Sequence, residues 1–350
     1  MKKLMSILLA ALLCLGLVAC AGNADDAADT DGAGGDYANM RICMISDPIG
    51  NEQFIKQAYD ELVAMAGEYG FEWSNVEVAD VAAWEENSRA AAQQGYDLIV
   101  AVGWQAAEPF STLADEFPDT KFAVIDAVAS NDKVKSIAFN TVEGCYVLGV
   151  MIGTAFKDES LFGYVCNMQN QASYEYRYGF SEGVKSVLPN AEFMYNYANS
   201  YSDTSIVYEM AVQQQAAGCS FIFGGVSNSA NAGIYQAALE LAEKGTPIYT
   251  TGLSVDQTTS ENPYIIGGVL KDTAVCMRSV VEEFLQGSFV GGLQILGIKE
   301  KAFGVVGITT DGFNYRNEEI MTDEVITAGN AAAQAISSGS LSLVAPQENA

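Results

Sequence analysis

The side chains able to do chemistry in this chain are acids, amides, aromatics and a few lysines; among 350 residues there is no histidine. Without imidazole the Ser-His-Asp and Cys-His arrangements, the HExxH zinc site and the commonest acid/base near neutral pH are all excluded. No P-loop pattern and no G-x-G-x-x-G behind a strand-like run occurs. Acids are plentiful, but no spacing singles out a pair for acid/base work. What remains is recognition rather than bond making, so no catalytic residue, metal ligand or cofactor is expected.

Several residues have the chemistry of recognition. Trp104 follows Gly103 at the end of an apolar run, where it could stack on a ring for about 1–3 kcal/mol or simply cap the lobe. Phe54, near the start of the first helix, could be the opposing plate. Asp126 closes a strand with no base after it. A carboxylate there can accept two hydroxyl hydrogen bonds, and a site built on such bonds rejects analogues that lack the hydroxyl; the competing role is a turn cap. Lys271, in a lysine-poor chain, could donate to a carbonyl or hydroxyl, or remain a solvated charge. Tyr174, Tyr176 and Tyr178 crowd one helix start. Alternate positions cannot share a helical face, so one faces a cleft, with Tyr176 the candidate, and another the core. Asn51 and Asn228 are loop amides able to read a polar ring edge. Asp256 could be a contact, or a hinge or helix cap.

These residues need elements to position them, and the sequence alternates strand and helix. Strand-like runs fall at 41–46, 71–78, 96–103, 121–126 and 134–139, with helical spacing at 52–67, 83–94 and 106–116. The second half repeats the pattern: strands at 161–166, 192–196, 220–223 and 247–250, helices at 174–187, 204–217 and 230–244. The continuous apolar run at 96–103 is that of a parallel strand buried on both faces. Repeated βα units imply parallel sheets with helices on both faces. About 300 folded residues are long for one core. The expected fold is therefore α/β, two doubly wound parallel-sheet lobes with a ligand cleft between them. Ligands bind at the carboxyl ends of strands in such sheets, which is where Trp104, Asp126 and Asn228 fall.

The first twenty residues carry a different chemistry. Met1-Lys2-Lys3 precedes an apolar run to Val18, which is shorter than the roughly 20 residues of a membrane span. It ends in Leu17-Val18-Ala19-Cys20, the pattern of a bacterial lipoprotein signal. The expectation is a signal peptide at 1–19, lipidation at Cys20 and a flexible acidic tether at 20–36, where Ala, Gly, Asp, Asn and Thr offer no large apolar residue to bury. The mature protein would then sit outside the cytoplasmic membrane, held by acyl chains. With 44 acids against 17 bases the formal net charge is −27, and cleavage would remove two more lysines. Such a surface repels phosphate backbones, so nucleic acid is not an expected partner. Cys43, Cys145, Cys166, Cys219 and Cys276 are scattered in apolar stretches with no CxxC, as buried free thiols would be.

Read in order, these stretches resemble the basic membrane protein family of bacterial lipoproteins, from about Arg41 to Val344. The similarity is carried by Phe122-Ala123-Val124-Ile125-Asp126, then Val134 to Phe139, then Glu143-Gly144-Cys145-Tyr146-Val147-Leu148-Gly149. Tyr178 to Val184, Asp256-Gln257, Val269-Leu270-Lys271 and Ile336-Ser337-Ser338-Gly339 add to it. The resemblance implies a type I periplasmic-binding-protein-like fold and a substrate-binding protein of an ABC importer, whose known members bind purine nucleosides. It also brings the Gly224–Ser229 loop and residue 254 into the site. Three departures stand out. The first loop is shortened around Asn51, the loop at Gly224 is irregular, and Ser254 stands where the family carries its first Asp.

The expectation is a lipid-anchored receptor that captures a small solute, most simply a purine nucleoside, by lobe closure and delivers it to ABC permease and ATPase subunits. Lobe one should comprise 37–140 plus about 257–308, and lobe two 141–256 plus about 309–350, with crossings near Thr141, Gln257 and Thr309. The same fold binding a sugar or another heterocycle, or serving as a ligand sensor, is the alternative. An enzyme is disfavoured by the missing histidine and nucleophile motif.

Overall fold

The computed structural model describes residues 37–50 and 53–347. The expected signal peptide, Cys20, the tether and Asn51 lie outside the described residues.

The first lobe opens with β1 (Arg41–Ser46), α1 (Gln53–Tyr69), β2 (Glu72–Glu77), α2 (Trp84–Gln93), β3 (Leu98–Val102), α3 (Ala107–Glu116), β4 (Lys121–Ile125) and β5 (Lys135–Phe139). Next come α4 (Thr141–Ala155), β6 (Leu161–Cys166), α5 (Gln171–Val187), β7 (Glu192–Tyr197), α6 (Thr204–Ala216), β8 (Phe221–Gly225), α7 (Ala232–Glu243), β9 (Tyr249–Ser254) and β10 (Ile265–Lys271). The chain ends with α8 (Thr273–Leu285), β11 (Gly292–Leu296), β12 (Phe303–Val305) and α9 (Asp323–Ser337).

The strands form two six-stranded sheets, ordered β11-β5-β4-β3-β1-β2 and β12-β10-β9-β8-β6-β7. All pairings are parallel except β10 with β12. Helices cover both faces, so the central strands β3 and β8 are buried at every position, as parallel strands between helix layers must be. Polar N-caps set several helix starts: Asn170 accepts from the Ser173 N–H, Asp203 from the Ser205 and Ile206 N–H groups, and Asp272 from the Val275 N–H. Each satisfies donors that the first helical turn leaves free.

The crossings between lobes differ from expectation. The chain leaves the first sheet between β5 and α4, at residues 140–141. The second expected crossing, near Gln257, is displaced to Lys271–Asp272, because β10 pairs with β9 in the second sheet while α8 packs on α1. The third comes within 297–302 rather than near Thr309, since β12 pairs with β10. Hydrogen bonding within the sheets, not the run of βα units, sets these boundaries.

The helix α4 has no counterpart among the elements expected from the sequence pattern. It is buried along most of its length, packed between α5 and α9, and a helix that is apolar all round is one buried on all sides. Its contact with α5 is backbone on backbone: a Cβ added to Gly183 would sit 2.1 Å from the Tyr146 carbonyl oxygen, and one on Gly149 2.3 Å from that of Phe180. The five expected cysteines are free and buried. Burial pushes the Cys219 thiol up to about 11, which keeps it protonated and unreactive.

Candidate functional site

The carboxyl ends of the strands in both sheets meet at a cavity of about 390 Å³. Lobe one contributes Phe54, from the first turn of α1, and Asp126, directly after β4. Lobe two contributes Asn167, after β6, Ser173 and Tyr176, from α5, and the 225–228 turn after β8. Ser254, the last residue of β9, and Lys271, the last of β10, complete the wall.

Two of these residues have unusual backbone. Asp126 has φ +67° and Ser254 φ +68°. Side chains other than glycine seldom adopt this left-handed region, and it costs on the order of 1–3 kcal/mol wherever the surroundings enforce it. In both cases the turn aims the strand end at the cavity.

The charge in the cavity is a single pair. Lys271 Nζ donates to both carboxylate oxygens of Asp126, each at 2.8 Å, and so joins the two lobes. Nζ also lies 5.9 Å from the Phe54 ring centroid and 5.2 Å from that of Phe139, within cation–π range. Burial favours neutral lysine, but the Asp126 carboxylate and the Tyr176 hydroxyl together outweigh it, and the Lys271 pKa lies above the ordinary lysine value. The Tyr176 hydroxyl is pushed up by burial, with Lys271 opposing the rise. Lysine stays charged and tyrosine neutral at any physiological pH.

The lobe-two wall is held rigid by amides. Asn167 Nδ2 donates to the Val226 carbonyl at 2.9 Å, and its Oδ1 accepts from Ser173 Oγ at 2.9 Å. Ser227 Oγ donates to the Tyr201 carbonyl at 2.7 Å, which fixes the loop that brings Tyr201 to the rim. Asn228 differs: its Oδ1 is buried with no partner among the described residues. An unmet acceptor in a cavity wall costs about 1–3 kcal/mol until a ligand donor meets it.

Of the residues singled out from sequence, Phe54, Asp126, Tyr176, Asn228, Ser254 and Lys271 thus surround one cavity. Three others do not. Trp104 is 67% exposed and lies off the cavity: Gly103, at φ +117°, turns the chain into a short helix whose first residue, Trp104, faces solvent while Ala106 is buried. Gly224 is buried inside β8, where its carbonyl accepts from Asn231 Nδ2 at 2.8 Å; its neighbour Gly225 reaches the cavity. Asp256 braces a turn: its Oδ1 accepts from the Thr258 N–H and hydroxyl, and its Oδ2 from the Asn314 N–H. Asn167 and Ser173 lay in a strand-end stretch the sequence marks, but nothing set them apart within it. Tyr201 sits in a loop with no sequence signal.

Residues 41–343 match the family model described as ABC transporter substrate-binding protein PnrA-like. The chain belongs to this family. Among its relatives, a CD4+ T-cell-stimulating antigen of Listeria innocua is 24% identical over 326 residues, 87% of this chain and 90% of that protein. The ABC transporter nucleoside-binding protein BmpA of Lactococcus lactis subsp. cremoris is 24% identical over 222 residues, 59% of this chain and 62% of that protein. Among solved structures, an ABC transporter solute-binding protein of Aeropyrum pernix K1 superposes with a TM-score of 0.70 at 22% identity, covering 88% of this chain and 94% of that one. The chain therefore has the two-lobed α/β fold of periplasmic solute-binding proteins. Both its family and its fold are those of substrate-binding proteins rather than enzymes.

Proposed function

We propose that this protein is the extracytoplasmic receptor of an ABC importer, anchored to the membrane through a lipidated Cys20, and that its solute is a purine nucleoside. The observation that carries the reading is the make-up of the 390 Å³ cavity. Its volume suits a small ligand, with an aromatic ring from each lobe, Phe54 and Tyr176, and a charged pair, Asp126–Lys271, between the lobes. A flat ring would lie against the aromatic residues, and the unmet Asn228 oxygen would accept from a ring N–H or amine. The sugar hydroxyls would meet Asp126 and Lys271, a carboxylate acceptor beside an ammonium donor. The relative named as nucleoside-binding points the same way. Capture would be by lobe closure, followed by hand-over to permease and ATPase subunits, with no bond made or broken.

The test is ligand-induced stabilisation. A nucleoside that binds the folded state raises the melting temperature by mass action. Guanosine or inosine should do so more than the free base, the 2′-deoxynucleoside or a hexose. Asp126→Ala should abolish the preference for ribose over deoxyribose. A response to hexoses alone would exclude the nucleoside and leave the receptor role standing. Equal response to ribose and deoxyribose in the unaltered protein would take Asp126 out of hydroxyl recognition.

A further inference from the structure

The first sheet ends on β11, whose outer edge has no strand beside it among the described residues. The Gly292 N–H donates to the Val134 carbonyl, and the Leu296 carbonyl accepts from the Asn140 N–H. The even-numbered residues of β11 thus spend their backbone groups on β5, and Leu293 and Ile295 turn their N–H and C=O groups to the open edge. Their side chains share one face of the sheet and are 55% and 56% exposed. Val290, just before the strand, is exposed as well. So is Val128, next to Ala129, whose N–H bonds Ser136 Oγ on the strand beside β11. Gln294 points to the opposite face, and its Oε1 is buried with no partner among the described residues.

The other sheet edges are blunted. β2 carries Glu72 and Glu77, β7 opens on Glu192, and β12 is three buried residues. Charged or short, covered edges are how soluble sheets avoid pairing with another chain. β11 has neither protection: from Gln286 to Ile298 no residue is charged, in a chain of net charge −27. The repulsion that keeps two such acidic copies apart is weakest here.

The edge is also complementary to itself. A two-fold axis through Gln294 sets Leu293 of one copy opposite Ile295 of the other, and Ile295 opposite Leu293. Both are antiparallel pairs that exchange their two backbone hydrogen bonds, and the four branched side chains meet on one face. The two Gln294 side chains lie directly opposite at the closer, non-hydrogen-bonded spacing, where each amide can donate to the other's unmet oxygen. We propose that β11 is a dimerisation edge: a second copy of this chain pairs with it, antiparallel about Gln294, and joins the two first sheets into one. No residue of β11 lines the 390 Å³ cavity, so pairing leaves ligand capture free.

The experiment is sedimentation equilibrium of the full chain in detergent over a range of concentrations, followed by disulfide trapping. The unaltered chain should double its mass reversibly, and the association should tighten as salt screens the repulsion between acidic copies. Leu293→Lys and Ile295→Lys, at exposed positions, should keep the circular dichroism of the unaltered chain and each weaken association by about tenfold or more. Gln294→Cys should cross-link on mild oxidation, because directly opposite Cα atoms about 4.5 Å apart suit a disulfide. Leu293→Cys, whose twin lies on the diagonal, should cross-link far less. The five cysteines of the described residues are buried, and the unaltered chain sets the background. The mass of a single copy at every concentration, a dimer unmoved by both lysine variants, or equal trapping at positions 293 and 294 overturns the pairing. Trapping is repeated on intact cells that make the protein, where an adduct with a different protein in place of the dimer gives the edge to that partner and overturns the proposal.

Discussion

The two lobes repeat one strand order and then differ in what they place on it. Position by position, β4 of the first sheet corresponds to β9 of the second. Asp126 follows the one and Ser254 ends the other, both in the left-handed region within a degree of each other and both at the cavity. The same strained bend is built twice, but one lobe presents a carboxylate, tied to Lys271, and the other a hydroxyl. The helix seams differ as well. In lobe two, α4 and α5 meet through glycines. In lobe one, α1 and α8 share a buried apolar core, and at its edge Arg278 of α8 reaches Glu61 and Glu68 of α1 as well as Glu282 of its own helix. Repeated topology supplies the geometry, and the residue types decide whether a contact is steric and steep or electrostatic and shallow.

The glycine seam should be the most sensitive part. In Gly183→Ala the new Cβ would lie 2.1 Å from the Tyr146 oxygen and 2.9 Å from the Gly149 Cα. Two helix backbones would have to separate, so the cost should reach or exceed about 3 kcal/mol, the upper end for overpacking. Urea unfolding followed by circular dichroism measures it. A loss under about 1 kcal/mol would mean that the seam yields as readily as a surface site.

A smaller loss is expected at the pair between the lobes. Lys271→Met leaves Asp126 without its cation. Breaking a fully buried pair costs about 3–5 kcal/mol, but 30% of the Asp126 side chain is exposed, so a loss of about 2 kcal/mol is expected here. The pH dependence follows from the raised Lys271 pKa. A group whose pKa is higher in the folded state stabilises fully below its unfolded value, about 10.4 for lysine, and loses that contribution as pH rises through the folded value. The stability gap between wild type and variant should therefore stay constant through neutral pH and close only in strong alkali. A gap that closes between pH 7 and pH 9 would assign the effect to another group.

How far sequence carries depends on which force sets each feature. Strands β1 and β6 are legible to the residue, because an apolar run of six bounded by polar turns is too short for a helix and reads as a strand by its length. The helix α4 is not, because Val147-Leu148-Gly149-Val150-Met151 is buried on every side and shows no period. The strand β9 runs on to Ser254, past the expected end at 250, since Gly252 serves not as a breaker but as the point where β10 comes close: a Cβ on Gly268 would lie 2.8 Å from its oxygen. At the site, the strand-end rule marks Asp126 and Asn228, which line the cavity, and equally marks Trp104, which does not. The bond from Lys271 to Asp126 spans 145 positions, and no local pattern reports it.

The ionic seam of lobe one should give the smallest effect, and salt separates it from the glycine seam. Arg278 is 36% exposed, and its partners Glu61, Glu68 and Glu282 range from 21% to 51%. Bonds to partly solvated carboxylates are weak individually, about 0.2–1 kcal/mol each. The guanidinium does more than pair, however, because it lies among three acids in a strongly acidic chain. In Arg278→Gln those carboxylates repel one another with nothing between them, so the loss should be near 1 kcal/mol at low ionic strength. At about 1 M salt the screening length falls to about 3 Å, and most of that loss should disappear. The Gly183→Ala deficit has no charge in it and should not change with salt. Urea midpoints of both variants at low and high salt test the contrast. An Arg278→Gln deficit that survives high salt would mean the arginine acts through the packing of its aliphatic stem, and the two seams would then be steric alike.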